Sequence, residues 1–194
     1  IKATLVFSTY QAGKLIFISS LNGKTIIKYA KSLKRPMGIA IDKSKMKLAV
    51  ASKTSIHVFA SNKTLALSYP EKKSRYDQLF IPQVKYHTGY LDTHEIEFGT
   101  NDELYFINTM FSCISIVSAD RHFEMYWKPN FITEVLPEDR CHLNGMAMKN
   151  GKPAFVTMFD TTNTYFVWKK TPKETGLLVE VETGEILLDQ LPMP

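Results

Sequence analysis

Side chains that bind metal ions or transfer protons are concentrated in two short stretches of this sequence. They are His87, Asp92, His94, Glu95, His142 and Asn144. Oxygen donors such as Glu95, Asn144 and Asp160 suit Ca²⁺ or Mg²⁺, whereas imidazoles suit Zn²⁺ or iron. The residue types therefore predict either a metal site at Glu95, Asn144 and Asp160 or an acid–base site with His94 and His142 as the catalytic groups. No compact ligand signature decides between them.

A second set of residues is suited to ligand binding. It comprises Arg35, His87, Asp92, Asp139, Arg140 and Trp168. Asp139 and Arg140 are expected to form a structural ion pair or a clamp for an anion, and Trp168 offers a surface on which a sugar or peptide could stack. Cys141 fits a small buried apolar residue better than a nucleophile of lowered thiol pKa. A purely structural interpretation stays open, in which these polar groups form a buried network that joins neighbouring units.

The elements that position these residues recur along the chain. Aligning Ile39, Ile96 and Met146 gives separations of 57 and 50 residues, and each lies in a short apolar segment followed by a turn and a second apolar segment. Four strands in a period near 50 residues are typical of a β-propeller. The sequence thus predicts an all-β fold with little helix, and an open β-sandwich is the alternative.

The repeat also predicts how the chain is divided. We expect one partial propeller over residues 1–194, with an incomplete blade at 1–34 and full blades at 35–85, 86–136 and 137–190. Residues 191–194 are expected to start a further blade, so about three and a half four-stranded blades are present. A propeller has at least four blades, which predicts that missing blades of the same protein are a partner of this segment.

Strand order places the unusual residues on one face. In a four-stranded blade, the loop entering the inner strand and the loop joining the second and third strands share a face. Here these loops carry the histidines, carboxylates and Trp168, whereas the opposite loops are tight polar turns such as Asn150-Gly151. Functional side chains concentrate in loops held by a rigid scaffold, so this loop face is the predicted site.

Composition limits the other classes of function. The net charge of +5 comes from scattered lysines without interleaved aromatic residues, so a solvated exterior is expected and a nucleic-acid partner is not. Cys113 and Cys141 are the only cysteines, which favours a reducing, cytoplasmic location. No apolar run approaches the roughly 18 residues of a membrane span, so no membrane partner is expected.

Four stretches of the sequence resemble a known family. They are STYQAGK at 8–14, RPMG at 35–38, HTGYLDTHE at 87–95 and EDRCHLNGMA at 138–147. They are similar to the hallmark segments of a bacterial conserved-hypothetical propeller family, a domain of unknown function sometimes joined to tetratricopeptide repeats. The resemblance implies a propeller whose C-terminal blades lie outside this chain, and it implies no activity.

Two functions follow as predictions. The first is a binding module that recognises a small molecule or peptide through the loop face. The second is a metal-dependent hydrolase or lactonase, with Glu95 and Asn144 binding a divalent cation and a histidine as the base. The second draws on the Asn144-Gly145 step, which resembles gluconolactonase-type propellers in which that asparagine is a metal ligand.

Overall fold

The computed structural model describes residues 3–21, 23–70 and 72–194. Over these residues the chain forms fifteen β-strands in four antiparallel sheets, with one helix, α1 (Lys63–Leu67), and one 3-10 helix (Val167–Lys170). The all-β propeller arrangement with little helix is confirmed. No helix in the described part of the chain is long and apolar enough to cross a membrane.

Each sheet is a meander in which strands adjacent in sequence are adjacent in space. Sheet I has three strands: β1 (Leu5–Thr9), β2 (Lys14–Leu21) and β3 (Thr25–Ser32). Sheet II has four: β4 (Ile39–Ile41), β5 (Lys47–Ser52), β6 (Ser55–Ser61) and β7 (Phe80–His87). Sheet III has β8 (Ile96–Phe98), β9 (Leu104–Asn108), β10 (Cys113–Ile116) and β11 (Glu124–Trp127). Sheet IV has β12 (Leu143–Lys149), β13 (Lys152–Met158), β14 (Gly176–Glu180) and β15 (Ile186–Leu191).

The second strands of sheets II and III are buried on both sides, because each of these two sheets packs between two others. In β5, Leu48 and Val50 pack toward sheet I, whereas Ala49 and Ala51 pack toward sheet III. An apolar run therefore replaces the alternation of a half-exposed strand. A third apolar cluster, which includes Ile107 and Val156, joins sheets III and IV. Full burial of such a side chain contributes about 1.5–3 kcal/mol, so the packing between sheets holds the loop face in place.

The turns opposite the loop face follow the predicted chemistry. Asn150 and Gly151 have φ values of 54° and 75° between the paired residues Lys149 and Lys152. Positive φ at both central residues defines the type I′ hairpin, which Asn-Gly favours. A Cβ at Gly151 would also collide with Thr100 of sheet III, so only glycine fits there.

The structure differs from the sequence prediction in sheet II. Residues 86 and 87, expected in the loop that enters sheet III, instead end the outer strand β7, which pairs with β6 over its whole length. Helix α1 was not predicted; Asn62 caps it by accepting a hydrogen bond from the Leu65 N–H. Five residues are too few to give a helical period that the sequence reveals. The predicted first unit begins with residues 1 and 2, which lie outside the described residues.

Candidate functional site

A backbone hydrogen bond recurs at the loop face of sheets II, III and IV. In each sheet, an N–H just after the second strand donates to a carbonyl in the loop entering the inner strand. The bonds are Lys53 N to Lys34 O (2.8 Å), Met110 N to Leu91 O (3.1 Å) and Phe159 N to Cys141 O (3.1 Å). We call this contact the loop clamp.

The residue that follows each clamped carbonyl is left-handed. Arg35, Asp92 and His142 have φ values of 47°, 51° and 47°. This conformation costs a non-glycine residue roughly 1–2 kcal/mol, and it persists where the surrounding structure determines it. The hydrogen bond of the loop clamp holds the backbone in this conformation. Three equivalent backbone positions therefore place a cation, a carboxylate and an imidazole on one face.

Two histidines from adjacent sheets meet on this face. The ring centroids of His94 and His142 are 5.2 Å apart, in a near-perpendicular arrangement. His142 Nδ1 lies 3.0 Å from a carboxylate oxygen of the buried Asp139, a hydrogen-bond distance. His94 Nε2 lies 3.7 Å from Asp92 Oδ2, which is too long for a hydrogen bond. Each imidazole therefore has its own carboxylate neighbour.

The pKa values of the carboxylates and of the phenol near the histidines are shifted from their ordinary values. The polar contact with His94 lowers the pKa of Asp92 below its ordinary value, although burial opposes this. Burial, followed by the nearby Asp92 carboxylate, raises the pKa of Tyr90 to about 12. Burial also raises the pKa values of Glu95, which directly precedes the inner strand β8, and of Glu97 within that strand. At neutral pH, Asp92 is thus an anion next to a protonated phenol.

Aromatic side chains cover His142. The Trp168 ring, from the 3-10 helix, lies over the imidazole with centroids 4.0 Å apart and planes inclined by 30°. Phe159 contacts the imidazole at 4.7 Å and meets Trp168 edge-on at 5.3 Å. We name Asp92, His94, Asp139, His142, Phe159 and Trp168 the histidine cluster.

Polar atoms without partners are concentrated at this cluster. Within the described residues, four buried side-chain polar atoms have no hydrogen-bond partner in the protein. Two of them, His94 Nε2 and Trp168 Nε1, belong to the cluster, and a third, Asp160 Oδ2, is on the residue next to Phe159 in sequence. The fourth is the hydroxyl oxygen of Ser61. Buried polar atoms nearly always have a partner, so this concentration marks a place suited to a ligand or ordered water.

Asp139 and Arg140 do not form the ion pair that was one of the two roles expected for them, and the other role, a clamp for an anion, stays a prediction. Asp139 contacts His142, whereas Arg140 donates from Nε to Glu138 at 2.7 Å and from a terminal nitrogen to Asn163 at 2.8 Å. The left-handed φ of Asp139, 44°, together with that of His142 allows these two side chains to meet three residues apart. Arg140 is nearly buried and is held in its own hydrogen-bond network. Its contact with a ligand therefore stays a prediction, which this low exposure does not support.

The thiol of Cys141 is fully buried, and burial raises its pKa to about 12. This excludes a lowered thiol pKa and agrees with the apolar role that the sequence favoured.

Other predicted site residues lie away from the histidine cluster or have other partners. His87 is exposed at the end of the outer strand β7. Asn144 donates its side-chain amide to the carbonyl of Pro194 at 2.8 Å. The described residues contain no group of three or more His, Cys, Asp or Glu side chains able to hold a metal ion. The predicted metal ligands Glu95, Asn144 and Asp160 therefore stay a prediction that this arrangement does not support.

Sequence reasoning missed Tyr90, Phe159 and the role of Lys53. All three occur in loops of the functional face, and Lys53 and Phe159 each follow a second strand and donate the hydrogen bond of the loop clamp. The repeat of that position across blades was the available signal.

Structural comparison gives propellers of low sequence identity. Hydrazine synthase from Kuenenia stuttgartiensis matches with a TM-score of 0.50 and 12% identity over 96% of this chain and 45% of its own. A catalytically inactive virginiamycin B lyase from Staphylococcus aureus with quinupristin matches with a TM-score of 0.50 and 11% identity over 100% and 54%. A gluconolactonase from Xanthomonas campestris reaches a TM-score of only 0.43, with 10% identity over 75% and 41%.

The chain therefore spans about half the length of the solved structures it matches. At these identities the similarity establishes the propeller fold alone. The comparison with curated proteins gives no match. The family described as domain of unknown function (DUF4915) matches residues 1–194, and this propeller chain belongs to that family.

Proposed function

We propose that this chain is the ligand-binding part of a propeller, and that a small molecule or peptide binds its loop face at the histidine cluster. The observation that carries this proposal is the pair of partnerless polar atoms at the two imidazoles, His94 Nε2 and Trp168 Nε1, with a third, Asp160 Oδ2, on the residue that follows Phe159. Leaving such atoms unpaired costs about 1–3 kcal/mol each, and a bound polar group offsets that cost.

The chemistry of the cluster defines what it can recognise. The indole N–H of Trp168 is a donor only, an ionised Asp160 carboxylate is an acceptor only, and a neutral imidazole can be either. A ligand that carries both a hydroxyl or amide donor and an acceptor matches this set. The aromatic rings of Trp168 and Phe159 add an apolar surface beside these groups.

Fragment binding to the full-length protein tests the proposal. Glycerol, glucose, acetamide and N-acetylalanine methylamide are titrated separately while the imidazole and indole NMR signals are followed. We expect at least one fragment to shift the signals of His94, His142 and Trp168 saturably, and His142→Ala to abolish the response. His122→Ala is the matched control, because His122 is exposed near the β10–β11 turn. The proposal fails if none of the fragments shifts these signals, or if both variants behave alike.

Acid–base catalysis without a metal is a second candidate, favoured by the contact between Asp139 and His142. A carboxylate on Nδ1 orients an imidazole and leaves Nε2 for proton transfer. Hydrolysis of p-nitrophenyl acetate tests it: His142→Ala should remove a pH-dependent rate that His122→Ala retains. Equal rates in the two variants exclude this role for His142 on that substrate.

The metal-dependent hydrolase or lactonase stays a separate prediction. Elemental analysis of the full-length protein and its Asn144→Ala variant tests it, since one metal per chain lost in the variant is the expected result. The bacterial source, the link to tetratricopeptide repeats, the cytoplasmic location and the completion of the ring by further blades also stay predictions.

A further inference from the structure

A small cavity lies beside the histidine cluster on the same face, where sheets I, II and III meet. Its volume is about 10 Å³, and its lining comes from the loops of all three sheets: Tyr10, Arg35, Met37, Ser52, Lys53, Tyr90, Asp92 and Thr93. Small-molecule sites usually measure roughly 300–1,000 Å³. The cavity is therefore about the size of one water molecule, and it has room for a single oxygen atom of a ligand whose remaining atoms lie outside it.

Two cations line this cavity and neither is neutralised. The guanidinium carbon of Arg35 lies 5.5 Å from the ring centroid of Tyr10, and Lys53 Nζ lies 5.8 Å from that of Tyr90. Such contacts hold a cation in place without cancelling its charge. Neither Arg35 nor Lys53 forms an ion pair with any carboxylate in the described part of the chain.

Asp92 is the one carboxylate that lines the cavity, and it is already engaged. Its carboxylate lies 3.7 Å from His94 Nε2, and the neighbouring His94 and Tyr90 side chains both lower its pKa. Counting Arg35, Lys53 and Asp92, the lining keeps a net positive charge. The loop clamp holds Lys53 to the residue preceding Arg35, so both cations are anchored to one stretch of backbone.

We propose that this cavity, the anion pocket, takes one oxygen of a carboxylate or phosphate group of the ligand, and that Arg35 and Lys53 at the cavity bind that group. The inference rests on the proposed function, because the anion belongs to the ligand that reaches the histidine cluster. A guanidinium forms two parallel hydrogen bonds with either oxyanion, and an ammonium adds a point charge. Asp92 lines the pocket and belongs to the cluster, so the two subsites are contiguous.

The ligand class follows from this arrangement. It is a small anionic molecule or a peptide with a free carboxylate, whose charged end lies at the anion pocket and whose polar portion reaches His94 and His142. The charge difference between the two subsites fixes the direction in which the ligand lies: the cations are on sheet II, and the imidazoles are on sheets III and IV.

Titration of the full-length protein with sodium phosphate and with sodium acetate, at constant ionic strength set by sodium chloride, tests the proposal. The backbone amide NMR signals of Tyr10, Lys53 and Thr93 report on the pocket. We expect saturable shifts with at least one of the two anions. The stronger binder identifies the group as a phosphate or a carboxylate.

Three variants identify the residues responsible. Arg35→Gln should weaken anion binding at least tenfold, and Lys53→Gln about three- to tenfold. Lys34→Gln is the matched control, because Lys34 is an exposed neighbouring cation that does not line the cavity, and it should change the Kd less than twofold. Arg35→Lys keeps the charge and should retain part of the affinity, which separates loss of charge from disturbance of the loop.

The outcomes separate this inference from the proposed function. Absence of a saturable shift with both anions overturns the anion pocket, as does equal weakening in the Lys34 and Arg35 variants. His142→Ala should leave phosphate or acetate binding within twofold while abolishing the fragment response at the histidine cluster. Anion binding that survives without any fragment response contradicts the proposed function alone.

Discussion

Replacement of the buried Asp139 carboxylate tests the packing of the histidine cluster most directly. Its side chain is almost fully buried, and its two oxygens lie 3.0 and 3.2 Å from His142 Nδ1. The residue is also left-handed, with a φ of 44°. Three substitutions separate these properties: asparagine keeps an acceptor and tolerates this φ, glycine keeps only the backbone freedom, and alanine keeps neither.

The expected losses follow from those two properties. A hydrogen bond to a charged group contributes about 1.5–3 kcal/mol to the free energy of unfolding. Alanine at positive φ adds a cost of roughly 1–2 kcal/mol, which glycine does not incur. We therefore expect Asp139→Asn to cost about 1 kcal/mol, Asp139→Gly about 2 kcal/mol and Asp139→Ala about 3–4 kcal/mol.

Urea unfolding followed by tryptophan fluorescence measures the series. With a slope of about 2 kcal/mol per molar urea, a loss of 2 kcal/mol lowers the midpoint by about 1 M. Equal midpoints for the asparagine and glycine variants would refute the contribution of the carboxylate–imidazole contact. Equal midpoints for the glycine and alanine variants would refute the argument from the left-handed backbone.

Three further predictions concern the same face. A Cβ at position 38 would lie 3.0 Å from the carbonyl oxygen of His94. Gly38→Ala should therefore lower the free energy of unfolding in urea by about 1–3 kcal/mol and shift the His94 imidazole NMR signal. An unchanged signal would contradict the close approach. Burial raises the pKa of Glu95, so the folded state binds its proton more tightly than the unfolded state and stability falls as the pH rises through the raised pKa. Glu95→Gln should therefore raise the urea midpoint at pH 7 more than at pH 4, whereas the exposed Glu182→Gln control should not; a lower midpoint at pH 7 refutes this. The Cys141 thiol is buried, and burial raises its pKa to about 12. It should therefore resist iodoacetamide in the native protein at pH 8 and react after unfolding, as measured by mass spectrometry of its peptide. Rapid labelling of the native protein would contradict the structure.

The repeat made the sheets predictable because strand periodicity, turn chemistry and blade spacing agree with one another. The segments around Ile39, Ile96 and Met146 do form the inner strands β4, β8 and β12. The end of β7 was not predictable in the same way. His87 is a polar residue in an exposed outer strand, where burial imposes no alternation of apolar side chains.

The candidate site was predictable as a face but not as a set of contacts. Equivalent positions in successive blades indicated that His94 and His142 lie near each other, and the structure brings their rings together. The carboxylate neighbour of each histidine depends on left-handed backbone at Asp92, Asp139 and His142. Non-glycine residues adopt that conformation only where tertiary contacts impose it, so the pattern of residue types does not reveal it.

The loop clamp separates the stability of the loop from the identity of the side chain that it presents. Its hydrogen bonds join backbone groups only, and the residues after the clamped carbonyls are as different as Arg35, Asp92 and His142. A substitution at one of these positions therefore changes the chemical group that one blade places on the face, while the backbone frame is kept. The face is in this sense modular, because three side chains that can be exchanged one at a time set its chemistry.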